Sequence, residues 1–567
     1  MNEDEHNLVF IDEVDSPVEE QKHQTRMRRW GMCSPRLMFR RVMRVRKCTL
    51  IMVAVAIVLV IQLAGGYKKF TSRIQGLSKA TLGRKPLGNP RSRCSALPIA
   101  EELWGLTSEG RQAFVDIPRI KEMAPGESVC VRVVVPEGPR HTSLVYMPLP
   151  DMPWDSILLD MVGTHTGINI PVTLQLAPVA GQNRGRAGVH VYEADVVLRD
   201  VDTYRPSGYI EFREAKWNAE GNASLPQFAP EPLDIPEKLQ VRVVDRGGTS
   251  PFSLRRYLDL PLCTRMDMEG RWVTAASLPF DVSLVPPADN IGRVWLPYEC
   301  RLRRVSYGEF LRTLVADHKI MHWYGDSNTR RALKKITSKG EWCSDPEQVD
   351  LRQCMCEDYL EPFERFNEHA REVFIDLDED GGFMPSGWFY PTSAAENKSR
   401  IVAFKWDGLT LLNQPQWSER FDRGIVSRFG DPDTVFISLS NWDQAFMTMA
   451  AFSLELERLV GYIETSYSNS TNIVIRTGQY FCCTVDPTSW KRKFSRLRNK
   501  YFSQYVVDVF RERLGGDHRQ IRVWDVAQIS ERRPYDAREL ANQCPSNHVR
   551  AELVEVENQV LFNAMCN

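Results

Sequence analysis

Two periods of apolar residues divide the chain. Between about Cys94 and Asp245, short runs alternate apolar and polar side chains between turn residues: "SVCVRVVVP", "PVTLQLAP", "HVYEADVVL", "SGYIEFRE" and "LQVRVVD". A period of two puts one set of side chains on one face of a strand, and strands at this spacing predict an antiparallel β-sandwich. Beyond about residue 295 the runs become continuous: "KIMHWYG", "RIVAFKW", "TVFISLS", "NIVIRTG" and "QIRVWDV". Such runs suit strands buried on both faces of a parallel sheet. Helix-period segments lie among them, for Ala445, Met449, Phe452, Leu456, Leu459 and Ile463 step by four and three, and Val549, Leu553, Val556, Val560 and Ala564 do the same. Five strands with intervening helices predict a three-layer α/β domain with a mostly parallel sheet.

One run fits neither period. "TLIMVAVAIVLVIQLAG", from Thr49 to Gly65, carries no charge. At 1.5 Å per residue it spans most of a bilayer core of about 30 Å, which predicts a retained transmembrane signal anchor over residues 48–66. Eight Lys or Arg residues in 28–47 against six in 66–85 favour a cytosolic N-terminus, a single-pass type II arrangement. The N-x-S/T sequons at Asn222, Asn397 and Asn469 then face a lumen and are expected to be glycosylated. So short a span suits Golgi or ER membranes. The predicted division is a multidomain chain: cytosolic tail 1–47, membrane anchor 48–66, basic stem 67–93, β-sandwich 94–250, linker 251–294 and α/β domain 295–567.

Charge adds little, since 72 basic residues balance 73 acidic ones and no nucleic-acid partner is indicated. Cysteine adds more. Eleven of thirteen follow the apolar span, with no C-x-x-C pair and no histidine at zinc spacing, so disulfides in an oxidising lumen are expected and no metal site is. Their pairing stays open, and an odd number leaves at least one thiol over.

The chemistry concentrates where apolar runs end. "MHWYGDSNTRRALKK" places Ser327 at the end of the first α/β strand, with Gly325 for a tight turn and a helix N-terminus beyond. The same position also suits a plain serine N-cap. Asn441 follows the third strand in "TVFISLSNWD", Gly408 follows the second in "FKWDG", and His548 precedes the terminal helix. Ligands of such sheets bind beyond the carboxyl ends of strands, so these residues share a rim.

In this Ser, Gly, Asn, His order the chain resembles the SGNH, or GDSL-like, esterase superfamily. "WLPYECRLRRVSYGEFLRTLVADHKIMHWYGDSNTRR", with Trp295, Pro297, Cys300 and Arg330, is similar to the PC-esterase branch of trichome-birefringence-like, neurexophilin-and-PC-esterase and fungal capsule O-acetylation proteins. "YEADVVLRDVDTYRPSGYIEF" resembles the end of immunoglobulin and filamin-like domains. The esterase resemblance implies acyl, chiefly acetyl, transfer to or from hydroxyls of glycans or cell-wall polysaccharide. Ser327 would be the nucleophile and His548 the general base, while the Ser327 backbone N–H, Gly408 and Asn441 would form the oxyanion hole. Asp326 would hold the turn, and Arg330 would hold a substrate oxygen. No bound cofactor is implied, and the acyl donor, acetyl-CoA-derived or otherwise, stays open. The family's Asp three residues before the histidine is Pro545 here, so Asp536 or Asp525 would pair with the ring. An O-acetyltransferase and a carbohydrate esterase share the acyl-enzyme. The alternative is a non-catalytic glycan-binding or structural protein that keeps the fold, with Ser327 a silent cap. Among weaker base candidates, His322 reads as a core residue and His518 as part of a polar turn.

Overall fold

The computed structural model describes most of residues 94–567; outside the description lie 1–93 and, further on, 100–111, 119–121, 137–152, 178–188, 214–229, 341–371, 378–382, 385–398, 411–417, 419–429, 481–494, 534–548 and a few single positions. The described strands form four sheets. Two are antiparallel and share one core. In the first, Phe114–Asp116, Ser128–Pro136, Val189–Val197 and Gln175–Leu176 lie side by side. In the second, Ser156–Gly163 and Thr203–Phe212 form the centre, flanked by Asn169–Pro171, Glu231–Pro232 and Val241–Arg242. Val131, Val133 and Tyr192 of one sheet pack with Leu159, Met161, Tyr204 and Ile210 of the other. Tyr204 donates its hydroxyl to the Asp200 carbonyl four residues upstream and so anchors the corner of its strand. A two-stranded antiparallel pair, Gly270–Thr274 with Arg293–Pro297, comes next in the chain.

The fourth sheet carries the site, and its strands are numbered here: β1 (Ile320–Gly325), β2 (Glu372–Leu377), β3 (Phe383–Met384), β4 (Arg400–Lys405), β5 (Thr434–Ser438), β6 (Asn472–Arg476) and β7 (Ile521–Trp524). Their order is β3-β2-β4-β1-β5-β6-β7. The five from β4 to β7 are mutually parallel, and β2 and β3 add an antiparallel edge. Helices cover both faces: α1 (Tyr307–Ala316), α2 (Ser327–Thr337), α3 (Asn441–Phe446), α4 (Met449–Ser466), α5 (Arg496–Arg513), α6 (Val526–Glu531) and α7 (Ala551–Cys566). Alternation along each strand decides the partner. Met321 and Trp323 of β1 face α1, α2, α6 and α7, whereas Tyr324 and its neighbours Val402 and Phe404 face α4 and α5.

The expected fold class is corrected by these elements. No helix among the described residues is long and apolar enough to cross a membrane, and the segment expected to span, 48–66, lies outside the described residues. Beyond the two antiparallel sheets that share a core, the strands form a third antiparallel sheet, the two-stranded pair reaching into the expected linker, and the seven-stranded sheet is mixed, with an antiparallel edge. The physical reason is that residues expected to connect instead pair and pack. Trp272, inside the expected linker, is fully buried, packs against Trp295 with the rings tilted by 60° and donates its indole N–H to the Ile529 carbonyl at 2.8 Å. Arg496 of α5 likewise reaches Asp160 of the second antiparallel sheet at 2.7 Å, and Asn169 donates to the Glu531 carbonyl. Disulfides close Cys94 to Cys130 and Cys263 to Cys300.

Candidate functional site

Counting only the parallel strands, the order is 2-1-3-4-5, so connections leave β1 in one direction along the sheet and β5 in the other. Sheets of this kind take their ligands beyond the strand ends at such a switch point, which here falls between β1 and β5. Gly325 ends β1. A Cβ on it would overlap the Thr329 side chain, so the turn into α2 requires glycine for close approach. Asp326 then caps the helix: its Oδ1 accepts from the backbone N–H groups of Asn328 at 3.0 Å and Thr329 at 3.3 Å, and its carbonyl accepts from Arg330. Ser327 is the first helical residue and is half-buried. The capping role open to a serine here is therefore filled by its neighbour.

Asp326 also reaches across the switch point. Its Oδ2 accepts from Asn441 Nδ2 at 3.0 Å. Asn441 Oδ1 accepts from the backbone N–H of Gln479 at 2.8 Å, Gln479 Nε2 donates to Glu557 Oε1 at 2.5 Å, and Arg476 Nη2 meets Glu557 Oε2 at 2.8 Å. This buried relay runs along the carboxyl ends of β1, β5 and β6 to α7. Only one orientation of the Asn441 amide satisfies both neighbours, because its nitrogen faces a carboxylate and its oxygen a donor. The amide nitrogen carries two hydrogens, of which Asp326 takes one. Burial pushes the Glu557 carboxyl above the usual glutamate range, and the Arg476 guanidinium opposes that shift.

Gly408 follows β4 in the left-handed region, at φ +81°. Its missing Cβ would sit 2.5 Å from Asp443 Oδ2, and Asp443 Oδ1 accepts from the Leu409 N–H at 2.6 Å. A fully buried carboxylate on α3 thus shapes the turn. Trp406 donates its backbone N–H to the Gly325 carbonyl at 2.9 Å, tying this turn to the end of β1. Asp525 directly follows β7, where Thr477 Oγ1 donates to it at 3.1 Å. Burial raises its carboxyl, with the Thr477 bond opposing. It stands three strands from β1, about 14 Å at the usual strand spacing.

The structure therefore brings Asp326, Ser327, Asn441 and Gly408 to one rim and leaves Asp525 at the far end of it. Arg330 is half-buried one turn along α2. His548, Asp536, Asn222 and Asn397 lie outside the described residues. Val549, beside His548 in the chain, is buried, and its carbonyl accepts from the buried Arg331 of α2. Asn469 is exposed in the turn after α4. His322 is buried with Nδ1 3.2 Å from the Tyr467 hydroxyl, and burial, helped by Arg400, pushes its pKa down to about 3, so it is neutral; His518 is exposed.

No protein-family model matches this chain, and no curated protein matches it. Function must be read from the rim itself. Among the described residues a metal-compatible cluster occurs at Cys94, Cys130 and Glu193, but its two sulfurs are joined in a disulfide and offer no thiolate. Sequence reasoning missed Arg331, Asp443, Arg476, Gln479 and Glu557. Two signals point to three of them in retrospect: "RTGQ", which closes β6 and holds Arg476 and Gln479, and "EVENQ", which puts Glu557 inside an otherwise apolar helix.

Proposed function

We propose that the chain transfers acyl groups, chiefly acetyl, to or from hydroxyls of glycans or polysaccharide through a Ser327 acyl-enzyme, as its resemblance to the SGNH and PC-esterase proteins implies. The observation that carries this reading is the position of Ser327: it opens α2 at the switch point, with its capping duty taken by Asp326, whose other carboxylate oxygen holds the amide of Asn441. Ser327 attacks the acyl carbon, and His548 takes its proton and returns it to the leaving oxygen. The second N–H of Asn441 and the turn at Gly408 supply oxyanion stabilisation. Arg331 supports the placement of His548, since it grips the adjoining backbone from the same helix that carries the serine. Asp536 or Asp525 orients the imidazole, and Arg330 holds a substrate oxygen. Whether sugar or water resolves the acyl-enzyme separates transferase from esterase. The two disulfides favour an oxidising secretory compartment such as the Golgi or ER, where Asn222, Asn397 and Asn469 would be glycosylated.

A phosphonate probe for reactive serines tests the reading. Labelling of the parent protein is expected to vanish in Ser327→Ala and to fall at least a hundredfold in rate in His548→Gln. Equal labelling of the parent and Ser327→Ala removes the proposal. A non-catalytic glycan-binding role is the second reading, favoured by Pro545 at the position where the family carries its acid.

A further inference from the structure

A cleft of about 780 Å³ opens between the loop 287–290, the start of α1, the last turn of α2 and the start of α7. Along α2 it is separated from the proposed catalytic rim by about two helical turns. Ser327, Arg331 and Lys335 follow one another at intervals of four along one ridge of α2, so the Lys335 wall lies about 12 Å from the serine. Arg550 on the opposite wall is two residues from His548.

The charges of the lining do not cancel. Each of its carboxylates is already matched: Glu555 by Lys335 at 2.8 Å, Glu552 by Arg550 at 2.7 Å and Asp289 by Arg533 at 3.2 Å. Two exposed cations remain, Arg304 and Lys339, and no carboxylate among the described residues pairs with either. Lys339 is also the residue among those described that holds a positive φ without being glycine, at 56°. Asn or Gly is the usual occupant of that conformation at a helix end, so a lysine there keeps a long cation at the cleft mouth against local preference. Asn290 and Ser306, both exposed, add hydroxyl-matching polar groups, and the Tyr307 ring forms part of the wall.

We propose that this cleft is a subsite for an acidic saccharide unit, with Arg304 and Lys339 receiving its carboxylate while the polar walls take its hydroxyls. That the ligand is a glycan rests on the acyl-transfer reading; that it is anionic rests on the cleft alone. Equilibrium binding to the full chain carrying Ser327→Ala tests it, with a uronic-acid tetrasaccharide and its carboxyl-reduced counterpart as matched probes. The acidic probe is expected to bind about tenfold more tightly, and the preference to shrink as salt rises. The double variant Arg304→Gln with Lys339→Asn, which puts a residue tolerant of the left-handed region at 339, is expected to abolish the preference. Should that variant not fold, Arg304→Gln alone is expected to cut the preference about threefold. Equal binding of the two probes, or an undiminished preference in the variant that folds, overturns the proposal. Displacement of the acidic probe by inorganic phosphate at equal concentration overturns its saccharide half. Serine labelling of the parent is scored separately: its loss alongside an intact acidic preference removes the catalytic reading and leaves the cleft assignment standing.

Discussion

Replacing Gly408 with alanine probes the turn that ends β4. Two costs follow from its geometry. A non-glycine residue at φ +81° loses roughly 1–2 kcal/mol to the clash of Cβ with its own backbone. The new methyl also meets Asp443, whose carboxylate oxygens lie 2.5 and 2.6 Å from the ideal Cβ position, and overpacking a buried site of this kind costs roughly 1–3 kcal/mol. Together they predict a loss of about 2–5 kcal/mol, read from urea unfolding of the full chain followed by intrinsic fluorescence. The second cost depends on Asp443 and the first does not. In an Asp443→Ala background the same glycine substitution is therefore expected to cost only about 1–2 kcal/mol, a coupling of roughly 1–3 kcal/mol in a double-mutant cycle. Additive losses would show that the carboxylate does not shape the turn. A loss under 1 kcal/mol in the parent background would refute the whole account of Gly408. Alanine keeps the backbone N–H but the clash with Asp443 displaces the turn that aims it, so turnover by folded Gly408→Ala protein is expected to drop by up to about a hundredfold, the scale of losing one oxyanion donor.

Four further outcomes follow from other parts of the molecule. Arg331→Met keeps the buried stem but not the grip on the Val549 carbonyl, so kcat is expected to fall tenfold or more with little change in KM; an unchanged kcat would separate Arg331 from the positioning of His548. The Glu557 carboxyl is raised on folding, so its charged form is a burden at neutral pH that lifts as pH falls through the raised value toward the ordinary value of about 4.3. Measured by urea unfolding, parent stability relative to Glu557→Gln is thus expected to increase from pH 7 towards 5, and a constant difference contradicts the assignment. Replacing Cys263 and Cys300 together by serine opens a loop closed across a separation of 37 residues and should cost roughly 3–4 kcal/mol on the chain-entropy scale, visible as a lowered urea midpoint. Exposed Asn469 should carry a glycan when the protein passes through a secretory pathway, and Asn469→Gln should then run faster on a gel; identical mobility rules out modification there.

How much of this was legible in the sequence depends on the range of the interaction. The apolar runs around Trp323, Ala403, Phe436, Val474 and Val523 coincide with β1, β4, β5, β6 and β7, because burial on both faces is written locally in composition. The sequence reading has no strand at β2, whose "EVFIDL" is too short an apolar run to stand out, and β2 turns the sheet edge antiparallel. The single helix read from Ala445 to Ile463 is two, broken before Met449, where Thr448 caps α4 by accepting from Ala451. At the site, Gly325, Asp326 and Ser327 could be read together because they are adjacent. The partnership of Asp326 with Asn441, 115 positions away, depends on β1 and β5 lying side by side, and strand order is set by packing of the whole sheet. Gln479 and Glu557 were invisible for the same reason. A buried polar residue announces itself only once its neighbours are known.

The helix α7 is enclosed on nearly every side, and its polar members are spoken for one by one: Asn563 with Arg303, Gln559 with Val305, Asn558 with Ala332, and Glu557 with Arg476. Each of those partners is synthesised earlier and waits for its counterpart. During translation the growing sheet must therefore stand with an open trench, half greasy and half thirsty for hydrogen bonds, until residues 551–566 leave the ribosome. A nascent chain stalled before that point is a natural client for chaperones, and maturation should be sensitive to small lesions in a helix far along the sequence from the serine it supports.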